Sequence, residues 1–128
     1  MNTILYILLE TVLGAGVICA EADSLPDQDQ AAIARVALHR AQVNRSSIPV
    51  ELLAPYQFAK PCHQDRIRLT HVKSFLAGRW GKHPTWAGDT WGFCSPAAEG
   101  RVRASWTRRG LFVSERRGHI YWKRMPRQ

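Results

Sequence analysis

Glu21 follows directly on the apolar stretch Gly16-Val17-Ile18-Cys19-Ala20, the most unusual setting of any of the 10 acidic residues in the chain. A carboxyl at the C-terminal end of a helix feels the negative end of the macrodipole, and partial burial disfavours its charged form, so both effects raise its pKa. Raised from about 4.3 toward about 6, such a group is a general acid that protonates a glycosidic oxygen as the bond breaks. Position alone also fits a solvated helix end. A two-acid hydrolase needs a second carboxylate about 5 to 9 Å away. The local candidates are Asp23, two residues on and so roughly opposite on a helix, and Asp27, which reads as a helix cap. A one-acid mechanism is favoured.

Cys19, Cys62 and Cys94 show no Cys-x-x-Cys spacing. Two arrangements stay open: a Cys62 to Cys94 bridge with Cys19 as a small buried hydrophobe, or three reduced thiols. Cys62-His63 with His71, His83 or Cys94 matches none of the tight ligand pairs of closed zinc sites, so neither a metal nor another cofactor is expected. The 18 Lys and Arg against 10 Asp and Glu give a formal charge of +8, which points to a polyanionic partner: nucleic acid, anionic lipid or an acidic wall polymer. Arg101, Arg103, Arg108, Arg109, Arg116, Arg117, Lys123, Arg124 and Arg127 concentrate this charge near the C-terminus. They are interleaved with Trp106, Tyr121 and Trp122, a pattern that also suits nucleic acid.

These groups have to be positioned by one domain, since 128 residues suffice for a single core over 1–128 and not for two. A helix is expected from Thr3 to Ala22, with Ile4, Leu8, Thr11, Val12, Ala15 and Ile18 or Cys19 recurring at helical spacing. No Lys or Arg precedes Arg35 and Glu10 interrupts the apolar run, so the segment reads as a core helix and not as a secretory signal or bilayer span. Asp27 caps a second helix reaching Asn44, with Ile33, Val36, Ala37 and Ala41 on one face. Ser46 to Pro49 and Ala54-Pro55 mark turns, and Tyr56-Gln57-Phe58 falls in a loop before Pro61-Cys62. Asp65 opens a third helix with Leu69, Val72 and Leu76 on its face and Gly78 at its end. From Arg79 to Gly100 a long packed loop is expected. Leu111 to Ser114 and His119 to Trp122 then form a hairpin about Arg116-Arg117-Gly118.

Glu21-Ala22, then Leu25-Pro26, then the run from Gln30 to Arg40 resemble the opening of the SleB-type cell wall hydrolase family. Downstream, Gln57-Phe58 resembles its Gln-Phe pair and Leu76-Ala77-Gly78 its Leu-x-Gly helix end. Pro84-Thr85 through Gly88, Trp91, Phe93 and Pro96 resemble its aromatic Gly-rich loop, and Trp106 with Gly118-His119-Ile120-Tyr121 its closing segment. The likeness covers roughly Val17 to Lys123. His39 in place of Asn, Asp23-Ser24 in place of Arg-Gly, and Ser95-Pro96 in place of Asn-Pro depart from the pattern and touch substrate contacts more than the acid.

The resemblance implies an α+β, mainly α, lysozyme-like single domain with a small C-terminal β-hairpin. It implies cleavage of peptidoglycan glycan strands, in many members by lytic transglycosylation, with Glu21 as catalytic acid and then base. Gln57, Trp91, Phe93, Trp106 and His119 are the expected substrate contacts. The expected setting is a monomer at the bacterial cell wall or periplasm, drawn to anionic wall polymers or an outer-membrane face, with nucleic acid not expected as partner. With no export signal read, release of a phage lysin through a pore is the route that fits. A basic nucleic-acid-binding module, or a non-catalytic peptidoglycan binder on the same fold, is the alternative.

Overall fold

A computed structural model describes residues 2–55 and 57–126; Tyr56 and Arg127, named above, lie outside the described residues. Asn2 caps α1 (Thr3–Ala22) by accepting the Ile4 N–H on its side chain, and α2 (Asp27–Asn44) ends at Arg45 in the left-handed conformation, φ 52°. A short helix α3 (Ile48–Leu53), then α4 (Leu69–Arg79), β1 (Thr90–Cys94), α5 (Glu99–Arg108), β2 (Leu111–Arg116) and β3 (Ile120–Arg124) complete the order. The expected α+β, mainly α class is the one observed. Three antiparallel strands in the order β1-β3-β2 replace a bare hairpin, with Phe93 opposite Tyr121 and Val113 opposite Trp122.

The core forms where α1, α2 and α4 meet. Val17, Ile18, Ile33, Ala34, Ala37 and Phe75 are fully or almost fully buried there, with Phe58 and Phe93 packed against them from loop and sheet. Close approach depends on two glycines. A methyl on Gly78 would overlap the Ala31 carbonyl oxygen of α2, and one on Gly14 would overlap the Phe75 ring, so α4 seats against both partners only with hydrogen at those positions. A second cluster of Cys94, Leu111, Ile120 and Trp122, joined by Trp106 and Val102 of α5, backs the sheet.

Several expectations are corrected. The long loop after Arg79 contains β1 and α5. β1 is stabilised by pairing with β3, a long-range partner that local composition does not reveal. The third helix begins at Leu69, after a 3-10 turn at Gln64–Arg66 that takes up Asp65. Its buried side is His71, Ser74, Phe75 and Gly78, while Leu69 is 66% exposed and Leu76 37%. In α1 only the C-terminal half is a core helix. Ile4, Leu8 and Val12, expected on the core face, are exposed, whereas Glu10 is buried and ion-paired at 3.4 Å with Arg79 of α4. The first helix contributes side chains to the apolar core only from Leu13 onward, so the apolar stripe outruns the core. Thr3–Ala22 is long and apolar enough to cross a membrane by composition, a property it shares with core helices.

Candidate active site

Glu21 sits in the last turn of α1, where the final carbonyls of a helix lack partners and the dipole disfavours negative charge. Its side chain is partly buried. One oxygen, Oε1, accepts the Ala59 backbone N–H at 2.9 Å, and Oε2 carries no hydrogen bond among the described residues. Burial pushes the carboxyl above its ordinary value of 4.5, and the Ala59 N–H, which favours the ionised form, offsets part of the rise. The arrangement leaves one oxygen free of hydrogen bonds among the described residues beside one fixed on a donor.

The loop that supplies Ala59 is held alongside α1 twice. Cys62 donates its backbone N–H to the Gly16 carbonyl at 3.0 Å, and Cys62 is joined to Cys19 in a disulfide. This corrects the open choice between a Cys62 to Cys94 bridge and three thiols. Cys19 and Cys62 lie 5.9 Å apart at Cα, while Cys94 on β1 is buried among Leu111, Ile120 and Trp122.

His119 approaches Glu21 from the sheet side. Its Nε2 lies 2.9 Å from the Glu21 carbonyl oxygen, its backbone N–H reaches Asp29 Oδ1 at 3.3 Å, and its ring packs on Phe93 at 4.9 Å. Tyr121 donates to the same Asp29 oxygen at 2.5 Å. Burial lowers the His119 pKa, against the pull of its bond to the Glu21 carbonyl and of Asp29. His119, expected as a substrate contact, is buried and lines neither of the two pockets described below; its ring meets an orphan carbonyl of α1.

The other expected contacts come together. Gln57, Trp91, Phe93 and Trp106 all line one small pocket of about 60 Å³, with Phe58 and Arg40. Trp91 sits at the irregularity in β1 between Thr90 and Gly92, and both it and Phe93 reach the pocket from that strand. Glu21 is not on the pocket wall; Ala59, which holds its Oε1, is the neighbour of Phe58, which is. A larger groove of about 450 Å³ between α2 and α4, with Lys73, Lys82 and His83 in its lining, includes none of the expected substrate contacts and, of the carboxylates considered, only Asp27.

The second-carboxylate candidates are engaged elsewhere. Asp23 accepts from His71 Nε2 at 2.6 Å and pairs with Arg68, and the His71 bond, followed by Arg68, holds its pKa below the ordinary value. Asp27 lies in the first turn of α2 with Pro26 as the N-cap residue. Cys19, Asp23 and His71 bring three ligand-type atoms within 4.8 Å of one another. They do not suit a metal: the sulfur is in the disulfide, and His71 Nδ1 accepts the Arg68 N–H at 2.9 Å, which leaves the ring proton on Nε2.

The sequence reading missed the Ala59 amide, a backbone group that no residue type announces. It also missed Arg40, whose signal was present: Arg40 follows Ile33, Val36 and Ala37 at helical spacing and so falls on the apolar side of α2. Of the C-terminal cations, Arg103 and Arg116 pair with Glu99, Arg117 with Glu115 and Lys123 with Asp89, which spends much of the charge read as a polyanion surface. Scans of the chain against protein-family models, curated proteins and solved structures find no match.

Proposed function

We propose that the chain cleaves peptidoglycan glycan strands, as a lytic transglycosylase or muramidase of the SleB type on a lysozyme-like domain, with Glu21 as its single acid and base. The observation that carries this reading is the Glu21 carboxyl itself: raised in pKa by burial, fixed through one oxygen by Ala59, and joined by that residue to a loop whose neighbouring side chains wall an aromatic pocket.

In this reading the proton on Oε2 passes to the glycosidic oxygen as the bond to C1 of the muramyl residue breaks. The resulting carboxylate keeps the Ala59 N–H and takes the proton of the C6 hydroxyl as that oxygen closes on C1, giving a 1,6-anhydro end. Atoms balance without water and without a second carboxylate. Asp23, ionised and tied to His71 and Arg68, is not needed. A pocket of about 60 Å³ holds no sugar ring, so the strand lies across the surface and inserts only a ring substituent. The chain would work at the bacterial wall, as a monomer.

The test is Glu21→Gln on purified sacculi. The expected loss is about 10²- to 10⁴-fold in turbidity decrease, the range for removing a positioned acid. Wild-type muropeptides lighter by one water mark transglycosylation, and fully reducing ends mark hydrolysis. Unchanged lysis by Glu21→Gln overturns the proposal.

A further inference from the structure

We propose that the small aromatic pocket is a carboxylate subsite, in which Arg40 and Arg109 take the free lactyl carboxylate of an N-acetylmuramic acid residue. The inference rests on the reading of Glu21 as a glycan-strand acid and names the form of strand that the site accepts.

Arg40 is more than nine-tenths buried and lies on the pocket wall. Among the described residues its guanidinium makes one hydrogen bond, from Nη1 to the Trp91 carbonyl at 2.9 Å, of the five that the group can donate. Its Nε is ion-paired with Glu51 Oε1 at 3.6 Å, a separation too long for a hydrogen bond, and is buried without a hydrogen-bond partner. Glu51 is itself occupied by Asn44 and Ser46. Arg109 lines the same pocket, and the Trp91 ring carries two guanidiniums, Arg124 at 4.6 Å and Arg40 at 4.7 Å. Burial and the neighbouring Arg109 charge both disfavour the Arg40 cation, and Glu51 opposes them. Two guanidiniums on one indole and a third on the same pocket wall, with one carboxylate among them, leave a positive excess at a concave apolar spot. An anion placed there relieves the repulsion and supplies the acceptors that Arg40 lacks.

Size selects the anion. About 60 Å³ is the liquid volume of roughly two waters, which suits a carboxylate and not a sugar ring. In stem-bearing peptidoglycan the lactyl carboxyl is tied in an amide to the peptide, so it has no charge and carries a chain for which the pocket has no room. The subsite therefore selects strands from which the stem has been removed. A reaction of the amidase class, hydrolysing the lactyl amide bond, must supply this substrate.

The experiment follows tryptophan fluorescence on titrating the intact chain with N-acetylmuramic acid, its methyl ester and N-acetylglucosamine. The acid is expected to bind about tenfold more tightly than either neutral sugar, a difference of about 1.4 kcal/mol. Arg109→Gln, at an exposed position, removes that preference and Arg109→Lys keeps part of it. Glu21→Gln, being off the pocket wall, retains it in full. Equal binding of acid and ester, or binding of none of the three, overturns the subsite. Cleavage supplies the second arm: amidase-treated glycan is expected to be cut faster than intact sacculi. Equal rates overturn the subsite while leaving the glycan-cleaving reading intact. A persistent preference for the acid without any cleavage upholds the subsite and defeats that reading.

Discussion

His119 Nε2 and the Glu21 carbonyl oxygen, 98 residues apart in sequence, meet at 2.9 Å, so the C-terminal sheet caps the helix that carries the acid. Replacing His119 with Phe keeps ring contact with Phe93 and strands the carbonyl, at a cost of about 1–3 kcal/mol of stability. The expected signature is a fall in kcat with KM little changed and the alkaline limb of the pH profile displaced. His119→Gln, which retains a donor, restores part of the loss. Thermal unfolding together with pH-rate profiles of both variants checks this.

The pH dependence follows from the direction of the Glu21 shift. Activity needs the protonated acid, so the rate declines as pH rises through the raised Glu21 pKa. The same carboxyl, with its folded pKa above 4.5, contributes stability that is present at low pH and lost as pH climbs through the folded value. Close to it are His119 on its carbonyl and Asp23 two residues on, the latter ion-paired with Arg68 and hydrogen-bonded by His71. Glu21→Gln is therefore expected to melt no lower than wild type at pH 7 while being inactive, with the difference shrinking at pH 4. Calorimetry at the two pH values decides it.

The disulfide closes a loop of 43 residues, for which chain entropy gives about 4 kcal/mol, an upper figure for a bridge of this span. Replacing Cys19 and Cys62 together by Ala is expected to lower Tm and, by loosening Ala59, to lower activity more than Tm at the assay temperature explains. Peptide mapping without reductant should recover Cys19 linked to Cys62 and Cys94 alone. A Cys94-containing bridge would contradict the arrangement.

Phe75 and Leu69 lie on the same helix and should behave oppositely. Phe75 is fully buried against Gly14, so Phe75→Ala costs about 3–5 kcal/mol; Leu69 is exposed, and Leu69→Ala stays within about 0.5 kcal/mol. Denaturant unfolding of the two variants measures the contrast.

That contrast marks how far the sequence could be read. The bounds of α1, and those of α2 to within a residue, were legible because the Asp23 to Pro26 break and the stripe of Ile33, Val36, Ala37 and Ala41 act locally; Asp27, read as the cap of α2, is its first residue. The face of α4 was not, because the helices approach over Gly14 and Gly78, and glycine gives no signal in an apolar pattern. β1 was illegible because its partner is 28 residues away and Gly92 depresses strand propensity within it. In the candidate site, Glu21 was singled out by its position and the pocket aromatics by the family resemblance. The amide that fixes the acid, and the bridge that holds that amide, depend on how a loop lies along a helix, which spacing does not encode.

Cys94 ends β1, buried among Leu111, Ile120 and Trp122 with its thiol pushed up by burial, and it is the one cysteine left out of the bridge. A maleimide dye would find it inert while the strands hold together and reactive once they part. Since the bridged pair ties α1 to its loop and not to the sheet, the labelling rate would clock unzipping of the sheet separately from melting of the helices, giving a built-in gauge of which half of the molecule yields first.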